Sequence, residues 1–162
     1  MKTIITDLEN IDKKYFNIDD KDYIIYSNKC INNCIECFSC WVKHPKYCIY
    51  KDAYSNIVDN LKNSSELIII SKNRYGCYSA SIKRVLERCI GYVLPYFTIR
   101  NNMIHHKSRY SNKIKLTAYF YGNTSKNDKL CLYDLVKANS INLNAKCFDI
   151  KYIDGDDYVY SN

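Results

Sequence analysis

Short apolar runs alternate with amphipathic stretches along the chain. Thr3–Thr6 (TIIT), Asp22–Ser27 (DYIIYS), Glu66–Ser71 (ELIIIS), Ile114–Tyr121 (IKLTAYFY) and Lys146–Ile153 (KCFDIKYI) read as strands. ELIIIS is an unbroken aliphatic run, the pattern of a strand covered on both faces of a parallel sheet. In IKLTAYFY, Ile114, Leu116, Ala118 and Phe120 share one face. Helical spacing falls between the runs. Asp52 is placed to cap a helix carrying Tyr54, Ile57, Val58 and Leu61. Ser79 caps a second, with Ile82, Val85, Leu86, Cys89 and Ile90 inward. A third runs from about Asn127 to Ala138 and ends near Asn139. The order β-β-α-β-α-β-α-β predicts an α/β fold built on a parallel sheet.

Two connections break the rhythm. Asp7–Lys21 carries little helical periodicity, so the first crossover helix is expected to be shortened or absent. Asn28–Lys51 is a long loop without periodicity, and such loops in compact domains are usually functional. No repeat or second domain is visible, so residues 1–162 read as one domain. Asp154–Asn162 reads as a surface tail, and Arg100–Lys115 as a solvated basic loop that could alternatively bind an anion.

Composition narrows the chemistry. The chain has only 4 Gly, at Gly76, Gly91, Gly122 and Gly155, and none lies close to another. That excludes a Walker loop and a dinucleotide fingerprint, which need clustered glycines. The net charge is +7, but only five of the 24 basic residues are Arg. A Lys-dominated surface without a binding motif reads as solvation, not nucleic-acid recognition. Met1–Lys14 has acids where a signal peptide needs an apolar core, and Leu67–Ile70 is too short to span a bilayer. The expected location is the cytoplasm, with no membrane partner. There the nine cysteines point to thiol, metal or redox chemistry rather than a disulfide framework.

The cysteines cluster. CIECFSCWVKHPKYC, from Cys34 to Cys48, has the spacing C-x2-C-x2-C-x7-C over Cys34, Cys37, Cys40 and Cys48, with Cys30 just upstream. Four soft thiolate ligands suit an iron–sulfur cluster or zinc, and the tight spacing favours a cluster. The same thiols read equally as reduced packing groups. His44 could complete a mixed zinc site, and Trp41 reads as a shield for the loop. A second constellation, SKNRYGCYSAS over Ser71–Ser81, leaves the carboxyl end of a central strand, where open α/β sheets bind ligands. It offers Gly76 for close backbone approach and Tyr75 and Tyr78 for stacking on a flat ring. The plain alternative is a strand–helix turn with surface tyrosines.

Together the two constellations resemble the flavodoxin-like NAD(P)H-dependent FMN reductases, especially their iron–sulfur flavoprotein branch. The likeness runs through Cys34, Cys37, Cys40 and Cys48 to Asp52, then through Lys72–Ser79 to Lys83, Glu87 and Arg88. It implies a flavodoxin-like three-layer sandwich with a five-stranded parallel sheet in order 2-1-3-4-5. It also implies FMN held by Asn73, Arg74, Tyr75, Gly76, Cys77, Tyr78 and Ser79, with weaker contacts from Gly122, Asn123 and Thr124. The four loop cysteines would carry the cluster. NAD(P)H or a redox protein would supply electrons, and a second copy of the chain would be a partner. The alternatives are a cysteine-loop metal protein without flavin and a non-catalytic flavodoxin-like binding module. Where the family keeps a small polar phosphate loop, this chain reads Asp7-Leu8-Glu9-Asn10, whose carboxylates repel a phosphate. Another anchor is then needed, and Arg100, His105, His106, Lys107 and Arg109 are the candidates.

Overall fold

The computed structural model describes residues 1–29 and 31–153. Cys30 and the predicted tail lie outside the described residues. The strands are β1 (Lys2–Thr6), β2 (Tyr23–Tyr26), β3 (Glu66–Lys72), β4 (Val93–Arg100), β5 (Met103–Ser108), β6 (Lys115–Tyr121) and β7 (Cys147–Ile153). The helices are α1 (Ser39–Val42), α2 (Ile57–Lys62), α3 (Ala80–Glu87) and α4 (Lys126–Asn142), with a 3-10 turn at Arg88–Tyr92. Five strands form a parallel sheet in the order β2-β1-β3-β6-β7, which is the expected 2-1-3-4-5 arrangement. No described helix is long and apolar enough to cross a membrane.

Side-chain alternation along the strands makes two cores. On one face, Ile5, Leu67, Ile69, Leu116, Ala118 and Phe120 meet the inner stripes of the helices. Those stripes are Ile57, Val58 and Leu61 of α2, Ile82 and Val85 of α3, and Leu132 and Val136 of α4. The other face carries Ile4, Ile68, Ile70, Tyr119 and Tyr121. It is covered by the irregular segment after β1, through Leu8, Phe16 and Ile18. The Phe16 ring stands perpendicular to that of Tyr119 at 4.9 Å. The first crossover helix is absent, as the weak periodicity predicted, and apolar side chains on an irregular segment do its covering.

The helix ends follow local chemistry. Ser125 and Asp128 form a reciprocal capping box, and α4 runs a turn beyond the predicted Asn139. Ser79 sits at the N-cap of α3 as expected, although its hydroxyl meets Ser81 Oγ at 3.2 Å instead of capping the helix. Asp52 does not cap α2, whose N-cap is Asn56. Its carboxylate accepts from the Tyr54 N–H at 3.1 Å in a local turn, and otherwise pairs with Arg88.

The expected basic loop is corrected to a hairpin. β4 and β5 pair antiparallel through a two-residue turn at Asn101 and Asn102, both at positive φ. Two consecutive left-handed residues make the turn whose twist matches a hairpin, and Asn tolerates that conformation. Its signal was in the sequence, as Asn-Asn between FTIR and MIHHKS. Pro95 and the exposed positions of the hairpin's apolar residues Tyr96, Phe97, Ile99 and Ile104 left no core-facing alternation to read.

Candidate functional site

The carboxyl edge of the sheet holds the predicted ring loop. The chain leaves β1 for β2 on one side and later enters β3 on the other, so the crevice between β1 and β3 is the topological switch point. Asp7 fills it. Its carboxylate accepts from the Lys72 N–H at 3.1 and 3.2 Å and from the Tyr121 hydroxyl at 3.0 Å. Burial pushes the Tyr121 phenol well above its ordinary range, and the Asp7 charge and hydrogen bond push it the same way. Tyr121 therefore stays a donor. No helix among the described residues joins β1 to β2, so the crossover helix whose N-terminus would face this crevice is missing.

Beyond β3 the loop closes on itself. Arg74 and Cys77 exchange backbone hydrogen bonds at 2.9 and 3.1 Å, with Tyr75 and Gly76 at φ 54° and 72°. That is a type I′ turn, which needs positive φ at both central residues. The Asn73 side chain is its hub. It accepts from the Gly76 N–H at 3.0 Å and donates to the Asn123 carbonyl at 2.9 Å and to Asp128 at 3.2 Å. Asn73, Gly76 and Asn123 are thus brought together in one hydrogen-bonded cluster. Gly122, at φ 85°, lies beside them under the Lys72 side chain.

Two residues have other work than expected. Gly76 gives close approach to α4, because a Cβ there would stand 2.8 Å from Cys131 Cβ. Tyr78 was expected to face a flat ring, and it is instead a core residue, 2 % exposed. Its ring stacks on Phe120 at 5.3 Å, and burial pushes its phenol up to about 12. The type I′ turn puts Tyr75, 98 % exposed, at its tip, and the chain returning from the turn carries Tyr78 into the core. Cys77 is half-buried, Arg74 is exposed, and the buried Ser79 donates its N–H to Ser71 Oγ at 2.9 Å.

The cysteine loop brings its thiols to one place. Cys34, Cys37, Cys40 and Cys48 line a single cavity of about 30 Å³, together with Ile35, Phe38, Ile49 and Ile90 and with Glu36 and Tyr50. Burial raises the Cys40 thiol, and its neighbours Cys48, Cys34 and Cys37 raise it further. Metal binding there would have to displace protons. Among the described residues no three ligating side chains stand close enough to share one ion. His44 is exposed and does not line the cavity.

An ion pair anchors this loop. The Arg88 guanidinium grips the Asp52 carboxylate in a two-bond fork at 2.8 and 3.0 Å, and donates to the Asn32 carbonyl at 2.9 Å. Burial tends to raise the Asp52 carboxyl. The Arg88 hydrogen bonds, the Tyr54 N–H and the Arg88 charge more than offset it, and the carboxyl sits below its ordinary range. Trp41 Nε1 donates to the Ile90 carbonyl at 2.9 Å, a second tie to the same 3-10 turn.

A larger groove, of about 1260 Å³, lies between the cysteine loop, α3, the hairpin and the end of α4. One wall is a ladder of flat side chains from two distant segments. Phe38 stacks on Trp41 at 5.2 Å, and His106 meets Trp41 and Phe97 at 4.9 Å each. Sequence reasoning missed this wall because it treated the hairpin as loop. Adjacent residues on a strand face opposite ways, so His106 turns to Trp41 while His105 Nδ1 lies 3.2 Å from Asn142 Oδ1. Arg100 bonds Asn144 at 2.7 Å, and Arg109 bonds the Gly91 carbonyl at 2.9 Å. Arg100 and His105 thus lie at the C-terminal end of α4, whereas Gly122–Ser125 precedes its N-terminus. The 17 residues of α4 span roughly 25 Å. That is farther than the ribityl phosphate arm of one FMN reaches from the carboxyl-edge loops, so the suggested phosphate anchor does not serve them.

No protein-family model matches the chain, and no curated protein matches it. Among solved structures it is similar to the crystal structure of an FMN-dependent NADH-azoreductase from Bacillus anthracis str. Ames Ancestor in complex with FMN. The TM-score is 0.57 at 12 % identity, over 98 % of this chain and 92 % of that one. The likeness establishes the flavodoxin-like fold.

Proposed function

We propose that the chain is a flavodoxin-like redox protein, an FMN-dependent oxidoreductase or electron-transfer flavoprotein, with an iron–sulfur cluster at Cys34, Cys37, Cys40 and Cys48. The observation that carries the reading is the convergence of four thiols on one cavity of this fold. The fold is shared with a protein that binds FMN. Thiols are the right donors for such a cluster, and binding would draw them closer than they now stand. NAD(P)H or a redox protein would donate electrons, and a second copy would complete the assembly.

The carboxyl edge does not fit the flavin phosphate. Asp7 occupies the switch point and would repel it, and the helix that would follow β1 and cradle it is missing among the described residues. No reaction step is therefore assigned there. When bound, a flavin supplies hydride and one-electron chemistry, and the protein's part is to hold and tune it. The misfit favours one second reading, a thiol-ligated metal protein without flavin.

Anaerobic purification followed by an absorption spectrum, FMN titration and metal analysis on one sample separates these readings. Saturable FMN binding together with iron is the expected result. Iron or zinc without flavin binding selects the second reading. A colourless, metal-free protein that ignores FMN overturns both, and leaves a non-catalytic binding module.

A further inference from the structure

We propose that the flat-ring site of this chain is the groove between the cysteine loop, α3 and the β4–β5 hairpin, and that it recognises a planar heteroaromatic ring rather than a phosphate. The inference rests on the flavin reading above and relocates the flavin. The carboxyl edge is closed to it, since Asp7 fills the switch point, Gly76 is against α4 and Tyr78 is in the core.

The groove offers what the edge lacks. Its 1260 Å³ exceeds the roughly 300–1,000 Å³ of ordinary small-molecule pockets. Its wall presents Phe38, Trp41, His106 and Phe97 in consecutive contact, a surface on which a flat ring stacks. Nδ1 of His106 is buried with no hydrogen-bond partner among the described residues. The charges lining the groove balance, Lys83 and Arg84 against Glu36 and Glu87, so a phosphate gains little from them. Cys34 lines both this groove and the four-thiol cavity, which sets the ring beside the proposed cluster.

Trp41 is the only tryptophan, so its fluorescence reports on the groove wall directly. The reduced full-length protein is titrated with FMN and, separately, with riboflavin, following Trp41 emission and the flavin visible band. Riboflavin is expected to bind within about threefold of FMN. Phe97→Ala and His106→Ala are expected to weaken both by about tenfold or more with unchanged far-UV circular dichroism. Phe97 is exposed, so its truncation leaves the core intact even where His106→Ala does not. Tyr75→Ala, at the tip of the carboxyl-edge turn, is expected to change neither. FMN binding that is much tighter than riboflavin binding, that survives Phe97→Ala or that is lost in Tyr75→Ala overturns the groove assignment and leaves the flavin reading standing. Failure of both flavins to bind overturns both.

Discussion

Replacing Asp52 with Asn isolates the energetics of the cysteine-loop anchor. The Arg88 side chain is 1 % exposed and that of Asp52 13 %, so the pair is buried rather than superficial. The substitution keeps the shape but removes the charge that compensates Arg88. Arg88 would then rely on the Asn32 carbonyl, with its Nε already lacking a partner. Breaking a buried pair from one side costs about 3–5 kcal/mol, against roughly 0–1 for an exposed pair. With a urea m-value of about 2 kcal/mol/M, the midpoint should fall by about 1.5–2.5 M. Equilibrium urea unfolding at pH 7 with excess reductant measures it. Replacing both partners, as Asp52→Asn with Arg88→Met, should recover most of the loss, because no buried charge is stranded. The pH dependence has a fixed sign. A carboxyl held below its ordinary 3.8 stabilises the fold above that value and loses its contribution as pH falls further. The gap between wild type and Asp52→Asn should therefore be full at neutral pH and close below pH 3.8. A loss under about 1 kcal/mol at pH 7, or a double variant no better than the single, would refute the argument.

Three further outcomes are expected. Gly76→Val should destabilise by about 2–5 kcal/mol, combining a left-handed penalty of about 1–2 with overpacking of about 1–3 against Cys131, and a lowered thermal midpoint would show it. Iodoacetamide at pH 8 should label the exposed Cys37, Cys131 and Cys147 in the native protein. It should spare Cys89, whose thiol burial pushes up to about 12, until urea unfolds the chain, as peptide mass mapping would reveal. Ser125→Ala removes one half of the α4 capping box and should cost about 1 kcal/mol in the same urea assay.

The central strands were legible because their apolar runs are buried on both faces of the sheet, whereas the strand order was an expectation from the family resemblance. ELIIIS became β3 at the predicted start, and IKLTAYFY became β6 with Leu116, Ala118 and Phe120 on the predicted face. The motif residues Asp52 and Arg88 were visible in the sequence, but not as partners, since 36 residues separate them. The hairpin was missed because exposed Tyr96, Ile99 and Ile104 give no core-facing pattern to read. Its consequence for the site is large, because His106 on β5 completes the wall begun by Trp41. Tyr78 was misplaced for the opposite reason. Aromatic side chains beside a glycine suit a ring loop and a core equally, and only the packing on Phe120 decides.

The cysteine loop is tied to the rest of the fold at several points. Trp41 is tied to Ile90, Arg88 to the Asn32 carbonyl and Asp52, and Lys46 to Asp59 on α2 at 2.9 Å. These ties fix both ends and the middle of the segment that carries the thiols. The backbone between them takes left-handed conformations at Glu36, Phe38 and Lys46. Such conformations cost non-glycine residues about 1–2 kcal/mol each and persist where the surroundings impose them. The ties supply that imposition, and its effect is to turn four thiols toward one cavity. If the proposed cluster binds, closing the cavity around it would require thiol deprotonation and movement of the cysteine side chains toward one another. On the proposed cluster reading, the entropy of gathering the loop is already spent in folding, so affinity for the metal would depend on Asp52 and Arg88 although neither would be a ligand. Asp52→Asn should weaken metal retention along with stability, whereas Ser125→Ala, remote from the loop, should lower stability alone. Metal content per chain, measured on both folded variants, separates the two. Equal retention in Asp52→Asn and wild type would show that the loop is not pre-formed by this pair.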